Sequence, residues 1–289
     1  MRNWLLMAII ILSPALASAQ RWSVNLSGGF ANYTGDLQGN RFTTDQAGIA
    51  LGAGALYDLT PHLAVRGGIA YLKVGAADRY NRKPDLRARN LDFSSNITEG
   101  HLGMELFILD RTAHRLAPYV FGGIGVFHFN PYTYDSLGAK HELQPLRTEG
   151  QGLTGNEGNQ PYNRTQFNIP FGAGIRWALS DRISLGWELG LRKTFTDYLD
   201  DVSTDYFDVT TLLNEAGPKS VELAFRGGEL KDAANAVYPA GGTMRGSSRY
   251  KDWYYNSSIT LHIRLFSDNG SMSSFGRKRG ILGCPKSVL

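Results

Sequence analysis

Residues 166–177 read Gln166-Phe167-Asn168-Ile169-Pro170-Phe171-Gly172-Ala173-Gly174-Ile175-Arg176-Trp177. Phe167, Ile169, Phe171, Ala173, Ile175 and Trp177 share one parity, and Asn168, Pro170, Gly172, Gly174 and Arg176 share the other. Successive side chains of a strand point to opposite faces, so this stretch has one greasy face and one face of small or polar groups. Residues 46–57 alternate in the same way. A water-soluble sheet would turn such a face to a core. Here segments of this length recur down the chain, separated by turn residues, with glycine and charge on the second face. That repetition is the pattern of a transmembrane β-barrel, in which lipid takes the apolar face and a polar lumen takes the other.

Working outward from this stretch, eight strands are expected, near residues 22–33, 46–57, 63–73, 91–107, 117–129, 166–177, 183–195 and 253–266. Parity assigns Phe167, Ile169, Phe171, Ile175 and Trp177 of the sixth to lipid, with Leu185, Trp187 and Leu189 of the seventh and Ile259, Leu261 and Ile263 of the eighth. The fourth is irregular. Phe93 and Ile97 share one parity while Leu102, Met104 and Leu106 share the other, and a bulge near residues 98–100 would reconcile them. The fifth is apolar on both faces, so parity leaves its orientation open. The links alternate between short (58–62, 108–116, 180–182) and long (34–45, 74–90, 130–165, 196–252), the last with a short helix near 208–216. Outer-membrane barrels have short periplasmic turns and long outer loops. The expected fold is therefore all-β: an antiparallel up-and-down barrel of eight strands in the outer membrane, with both termini periplasmic.

The front of the chain agrees with export. Arg2 precedes an apolar run over residues 4–12, and Ala17-Ser18-Ala19 fits a small-residue cleavage site, so residues 1–19 read as a signal peptide cut between Ala19 and Gln20. No later stretch approaches the roughly 20 apolar residues of a spanning helix. The barrel domain then covers residues 20–266, and residues 267–289, with Arg277-Lys278-Arg279, read as a flexible periplasmic tail. Cys284 is the only cysteine of the 289 residues, which excludes an internal disulfide framework. Lys and Arg total 30 against 26 Asp and Glu, too even a balance to argue for nucleic acid. The 34 glycines sit largely inside the expected strands, where small inward residues relieve crowding in a narrow barrel.

The same parity turns Arg66, Glu105, Arg176, Glu188, Arg192 and Arg264 into the lumen, together with His262 and Glu99. Such charges could line an ion pathway or a hydrolytic site. Eight strands leave an interior that side chains can fill, and buried charges must pair, so an ion-pair plug is the expected arrangement. Asp197, Asp200, Asp201, Asp205 and Asp208 lack the glycine and closing glutamate of a calcium loop, and read as a solvated outer loop. The histidines show no metal-ligand spacing. No rim Ser–His–acid set stands out, so neither enzyme, metal nor cofactor is expected.

Several strings are more specific: Pro118-Tyr119-Val120-Phe121-Gly122-Gly123 running on to Phe129-Asn130-Pro131, Glu142-Leu143-Gln144-Pro145-Leu146 with Thr148-Glu149-Gly150-Gln151-Gly152, and Arg192-Lys193-Thr194-Phe195-Thr196-Asp197-Tyr198-Leu199-Asp200-Asp201-Val202-Ser203-Thr204. Tyr33-Thr34-Gly35-Asp36-Leu37 and Arg89-Asn90-Leu91-Asp92-Phe93 accompany them. Together, from about Trp22 to Phe266, they resemble the outer-membrane barrel family that includes PorG of the type IX secretion system. The resemblance implies a non-catalytic outer-membrane component that helps assemble or anchor the secretion machinery. Its implied partners are outer-membrane lipid and a periplasmic ring made by a lipoprotein and its soluble partner. The alternative is a small passive porin or a ligand-binding barrel. Residues 144–152 and 194–204, with Glu149, Gln151, Asp197, Asp200 and Asp201, combine Gly, Thr, Asp and Gln with aromatics and are expected to fold over the barrel mouth as a cap.

Overall fold

The computed structural model describes residues 21–38, 43–231 and 236–265. The expected signal peptide, its Ala19–Gln20 cleavage and the expected tail from residue 267 lie outside them, as do Phe266 and Cys284. Alternating residues form the wall strands β1 (Trp22–Thr34), β2 (Gly48–Asp58), β3 (Leu63–Ala77), β4 (Asp92–Phe107) and β5 (Leu116–Tyr134). A short β6 (Lys140–Glu142) folds back on the upper end of β5 and stays outside the ring. The wall continues with β7 (Thr165–Ala178), β8 (Ile183–Thr194) and β9 (Trp253–Arg264). Each wall strand pairs antiparallel with its sequence neighbour, and β9 pairs with β1, so eight strands close without a free edge. The fold is a closed antiparallel eight-stranded barrel. No described helix is long and apolar enough to cross a membrane.

Two of the short turns repeat one device. Leu59 N and Thr60 N donate to Leu63 O at 2.9 and 3.0 Å, and Leu179 N and Ser180 N donate to Ile183 O at 3.0 and 3.1 Å. In each turn the hydroxyl ahead of the bend accepts a main-chain N–H, Leu63 N to Thr60 Oγ1 at 3.0 Å and Ile183 N to Ser180 Oγ at 3.1 Å. Hydroxyl residues favour turns for this reason. The long links gather at the opposite end and carry helices α1 (Pro84–Arg89), α2 (Val209–Ala216) and α3 (Pro218–Ala224). Asp208 caps α2 by accepting from Thr211 N at 2.8 Å, which gives the expected helix its start.

The expected bulge in β4 is absent. The β3–β4 register runs unbroken from Leu63↔Leu106 to Ala77↔Asp92, and β4–β5 is equally continuous. Phe93 and Ile97 point inward, with Glu99 and Glu105 on the same face. The polarity changes along the strand instead of the register. Near the turns the wall is greasy outside and charged inside, whereas near the long loops it is polar outside and packs an apolar core inside. Ala31, Tyr33, Leu72, Val74, Phe93, Phe127 and Phe129 belong to that core. β5 is thereby oriented: Tyr119, Phe121, Phe127 and Phe129 face in, and Val120, Ile124 and Val126 face out. It is apolar on both faces because its inner face packs rings and its outer face meets lipid.

Candidate functional site

Glycine makes the lumen deep enough for large side chains. Gly172 lies opposite Phe121 and Gly174 opposite Tyr119 across the β5–β7 ladder. A Cβ on Gly174 would stand 2.6 Å from the Tyr119 ring, and one on Gly172 would stand 2.8 Å from the Phe121 ring. The rings therefore lie over bare backbone, which lets Tyr119 reach Glu188 with its hydroxyl at 3.0 Å.

Three arginines and three glutamates meet on this inner face. Arg66 Nη1 binds Glu188 at 2.8 Å and Glu105 at 3.3 Å, and Arg176 Nη2 binds Glu105 at 2.8 Å. Arg192 Nε donates to Glu99 at 3.1 Å and its Nη1 contacts the Asn256 side-chain oxygen. Glu99 also accepts from Tyr254 at 2.7 Å and Asn168 at 2.9 Å, and faces His101 Nδ1 at 3.1 Å. The formal charges cancel. That matters because a lone buried ion costs several kcal/mol. The cavity bordered by Arg66, Glu188 and Arg192 measures about 30 Å³, space for roughly one or two waters. Of the six charges expected together, Arg264 stands apart. It is at the turn-end rim, 38% exposed, with its nearest carboxylate Asp58 at 3.7 Å. The strand ends there, so the side chain reaches water. His262 is buried one turn of the pleat away, 3.1 Å from Thr260 Oγ1.

Above this cluster the lumen turns aromatic. Tyr254 packs on Phe127, Phe127 on Phe129, Phe129 on Tyr162 and Tyr162 on Tyr198, with centroids 5.6, 5.6, 5.9 and 4.6 Å apart. This column leads from the Glu99 partner into the long loops. There Thr148, Glu149, Gln151, Asp197, Asp200 and Asp201 are all buried. Glu149 accepts from Ser203 N at 2.9 Å, Thr204 N at 3.1 Å and Thr204 Oγ1 at 2.7 Å, and Arg245 Nη1 closes on it at 2.8 Å. Asp201 accepts from Thr148 at 2.5 Å and Tyr162 at 2.8 Å, while Asp200 accepts from Tyr33. Gln151 Oε1 accepts from Glu149 N at 3.3 Å, and Asp197 accepts from Ser203 Oγ at 2.8 Å. Gly150 turns the chain at φ +66, where a Cβ would fall 2.3 Å from the Phe207 ring.

The reading of Asp197, Asp200 and Asp201 as solvated is corrected by this burial; of that run only Asp205 and Asp208 are exposed. Burial pushes the Asp197 carboxyl up to about 7 and that of Asp201 up to about 6. Asp200 and Asp252 are driven well above the usual carboxylate range, by burial first and then by neighbouring carboxylates. Asp252 accepts from Leu199 N at 2.9 Å, and Arg89 bonds Asp78 at 2.6 Å and the Arg245 carbonyl. Arg89, Arg245 and Asp252 were not singled out as cap residues in the sequence. Arg245 is 96 residues from Glu149, Arg89 is 156 from the Arg245 carbonyl and Asp252 is 53 from Leu199, and no local periodicity marks such pairs.

Outside, the residues expected to meet lipid all have the outward parity. Phe167, Ile169, Phe171 and Trp177 on β7, Leu185 and Trp187 on β8, and Ile259 and Ile263 on β9 are exposed, Phe167 to 69%. Ile175, Leu189 and Leu261 are half-buried between neighbours. From Ile183 to Lys193 the β8 wall takes ten residue steps. At about 3.3 Å per step and a tilt of about 40°, this rises about 25 Å, the height of the apolar band of an outer-membrane barrel. An apolar wall of that height on a closed barrel places the protein in the outer membrane.

Solved structures similar to this chain are also outer-membrane proteins. Neisserial surface protein A (NspA) is 9% identical, with 84% of this chain and 97% of that chain covered and a TM-score of 0.41. The outer membrane protein OprG from Pseudomonas aeruginosa is 11% identical, with 84% and 96% covered and a TM-score of 0.39. The outer membrane enzyme PagL is 13% identical, with 84% and 99% covered and a TM-score of 0.30. At these values the barrel assignment rests on the strand pairing itself. No curated protein matches the chain. A family model does, over residues 2–213, from ahead of β1 to within α2. The chain belongs to the family described as Domain of unknown function (DUF6089).

Proposed function

We propose that this barrel is a non-catalytic, non-conducting structural component of a protein secretion apparatus of the type IX kind, held in the outer membrane and contacting a periplasmic ring. The observation that carries the reading is closure at two levels. The lumen holds three paired arginines and three paired glutamates, and the mouth above is covered by buried loop residues. A wall so filled supports an anchor better than a pore. The lumen glutamates are each held by an arginine, which supports a structural rather than a catalytic role for them. The secretion role itself is supported by the strings that resemble the PorG-containing family, several of which supply the cap: Tyr33, Arg89, Glu149, Asp200 and Asp201.

The periplasmic contact is assigned to the short turns at residues 59–62, 108–115 and 179–182. Arg111 there bonds Asp58 at 2.7 Å and the carbonyls of Pro61 and Thr60, which stiffens one turn against the next. Crosslinking with mass spectrometry in native membranes tests the assignment. Links from these turns to a ring lipoprotein, with loss of secretion on gene deletion, are the expected result. Links only to unrelated envelope proteins, with secretion intact, would refute it. A steady conductance of the purified barrel in planar bilayers would instead favour a small porin.

A further inference from the structure

The outer wall changes character where its apolar band ends on β8 and β9. Lys193 and Trp253 face each other across the ladder, two pairs above Leu191↔Tyr255 and on the same face. The rise of about 25 Å from Ile183 puts this pair at the outer-leaflet boundary, where tryptophan is at home between hydrocarbon and water. Phe171 of β7 meets the Trp253 ring edge-on at 6.0 Å and steadies it.

A groove of about 770 Å³ opens beside this pair, bordered by Leu191, Lys193, Trp253, Arg249, Lys251 and Asp36. Three cations line it against one carboxylate. Asp36 is engaged elsewhere, accepting from Ser247 N at 2.9 Å. Among the described residues Lys193, Arg249 and Lys251 form no salt bridge; Lys251 Nζ donates to Ser248 O at 3.0 Å and Arg249 lies 5.7 Å from the Tyr250 ring. The groove thus offers net positive charge directly above an apolar wall, in the size range of small-molecule sites.

We propose that this groove binds the phosphate-bearing headgroup of an outer-leaflet glycolipid of the lipid A class. Lys193, Arg249 and Lys251 take the phosphates, and Leu191 and Trp253 lie against the junction of sugar and acyl chains. Charge complementarity and position select this occupant. A soluble anion would use the cations alone and leave the apolar wall and most of the volume without a role. The inference requires only that the barrel spans the outer membrane, and it stands whether or not the secretion reading does.

The test uses the full mature chain in neutral detergent, with bisphosphorylated lipid A, the same lipid stripped of both phosphates, and inorganic phosphate as probes, read by native mass spectrometry. Bisphosphorylated lipid A is expected to bind. Stripping its phosphates, or the triple change K193Q/R249Q/K251Q, is expected to weaken binding by about ten- to a hundredfold, as when charge-assisted bonds are lost. The triple variant's folding is checked independently by the heat-dependent gel migration of a closed barrel. Equal binding of the stripped lipid overturns the proposal, as does undiminished binding by the folded triple variant. Displacement of lipid A by equimolar inorganic phosphate also overturns it, because it would mark a free-anion site.

Discussion

Glu149 and Arg245 meet at 2.8 Å with both side chains withdrawn from water, joining two loops that are 96 residues apart. Glu149 also fixes Ser203 N and Thr204 N, so one carboxylate ties three segments of the cap. Breaking one side of such a buried pair costs about 3–5 kcal/mol, because the remaining charge is stranded. E149A is therefore expected to release residues 144–152 and 194–204 to protease added to intact cells, while the barrel keeps its heat-dependent gel migration. Cap segments as resistant as wild type would show that this tie does not hold them.

The lumen cluster makes a parallel prediction with a different readout. Among the described residues Arg192 is the only arginine bonded to Glu99, and Tyr254 links that carboxylate to the aromatic column. R192A leaves Glu99 without its cation and is expected to lower barrel stability by about 3–5 kcal/mol. The paired change E99Q/R192M removes both charges and is expected to recover most of that loss. Urea unfolding of the folded protein in detergent or lipid measures both. Equal losses for the single and paired variants would deny the coupling.

The cap acids predict a pH response whose sign is set by burial. In the unfolded chain Asp197 titrates near its ordinary 3.8, whereas burial raises it to about 7 in the folded cap. Between those values the folded cap holds a proton that the unfolded chain has lost, so stability is fully present below about 4 and falls as pH rises through 7. Asp200 and Asp252 act in the same direction, with Arg89 opposing at Asp200. Asp135 is shifted the other way by His141, so its contribution is lost only as pH falls below the ordinary carboxylate range, outside this window. Amide exchange at residues 197–203, corrected for intrinsic rates, is expected to be faster at pH 8 than at pH 5.5. D197N should flatten part of that difference, and a pH-independent wild type would contradict the mechanism.

How far the sequence could be read depends on what surrounds each residue. The parity of Phe167 to Trp177 is legible because lipid outside and small or charged groups inside leave a period of two. Phe93 and Ile97 break that code because the wall continues above the lipid, where the inside is the greasy side. A single rule of apolar-out misplaces them and invents a bulge. Arg264 has lumen parity but lies too close to the strand end to be enclosed. Arg89 and Arg245 are set by contacts between loops, 156 and 96 residues away, and Asp252 by Leu199 at the other end of its own loop, 53 residues away. No local pattern marks them; the stacking of the loops over the aromatic column brings them together.

Gly174 allows the most local test of the lumen. It faces Tyr119 on the neighbouring strand, and an added Cβ would lie 2.6 Å from the ring and 2.8 Å from the Trp187 carbonyl. Strand propensity alone favours valine over glycine in a wall. Packing argues the opposite here, because the ring must lift and lose its hydroxyl contact with Glu188 at 3.0 Å. Overpacking of this kind costs about 1–3 kcal/mol, more than the propensity gain of under about 1 kcal/mol. G174V is expected to be less stable than wild type in urea unfolding. Y119A should lessen the penalty by removing the ring, leaving only the backbone carbonyl in the way. If G174V were more stable than wild type, lumen packing would not be what keeps glycine at this position.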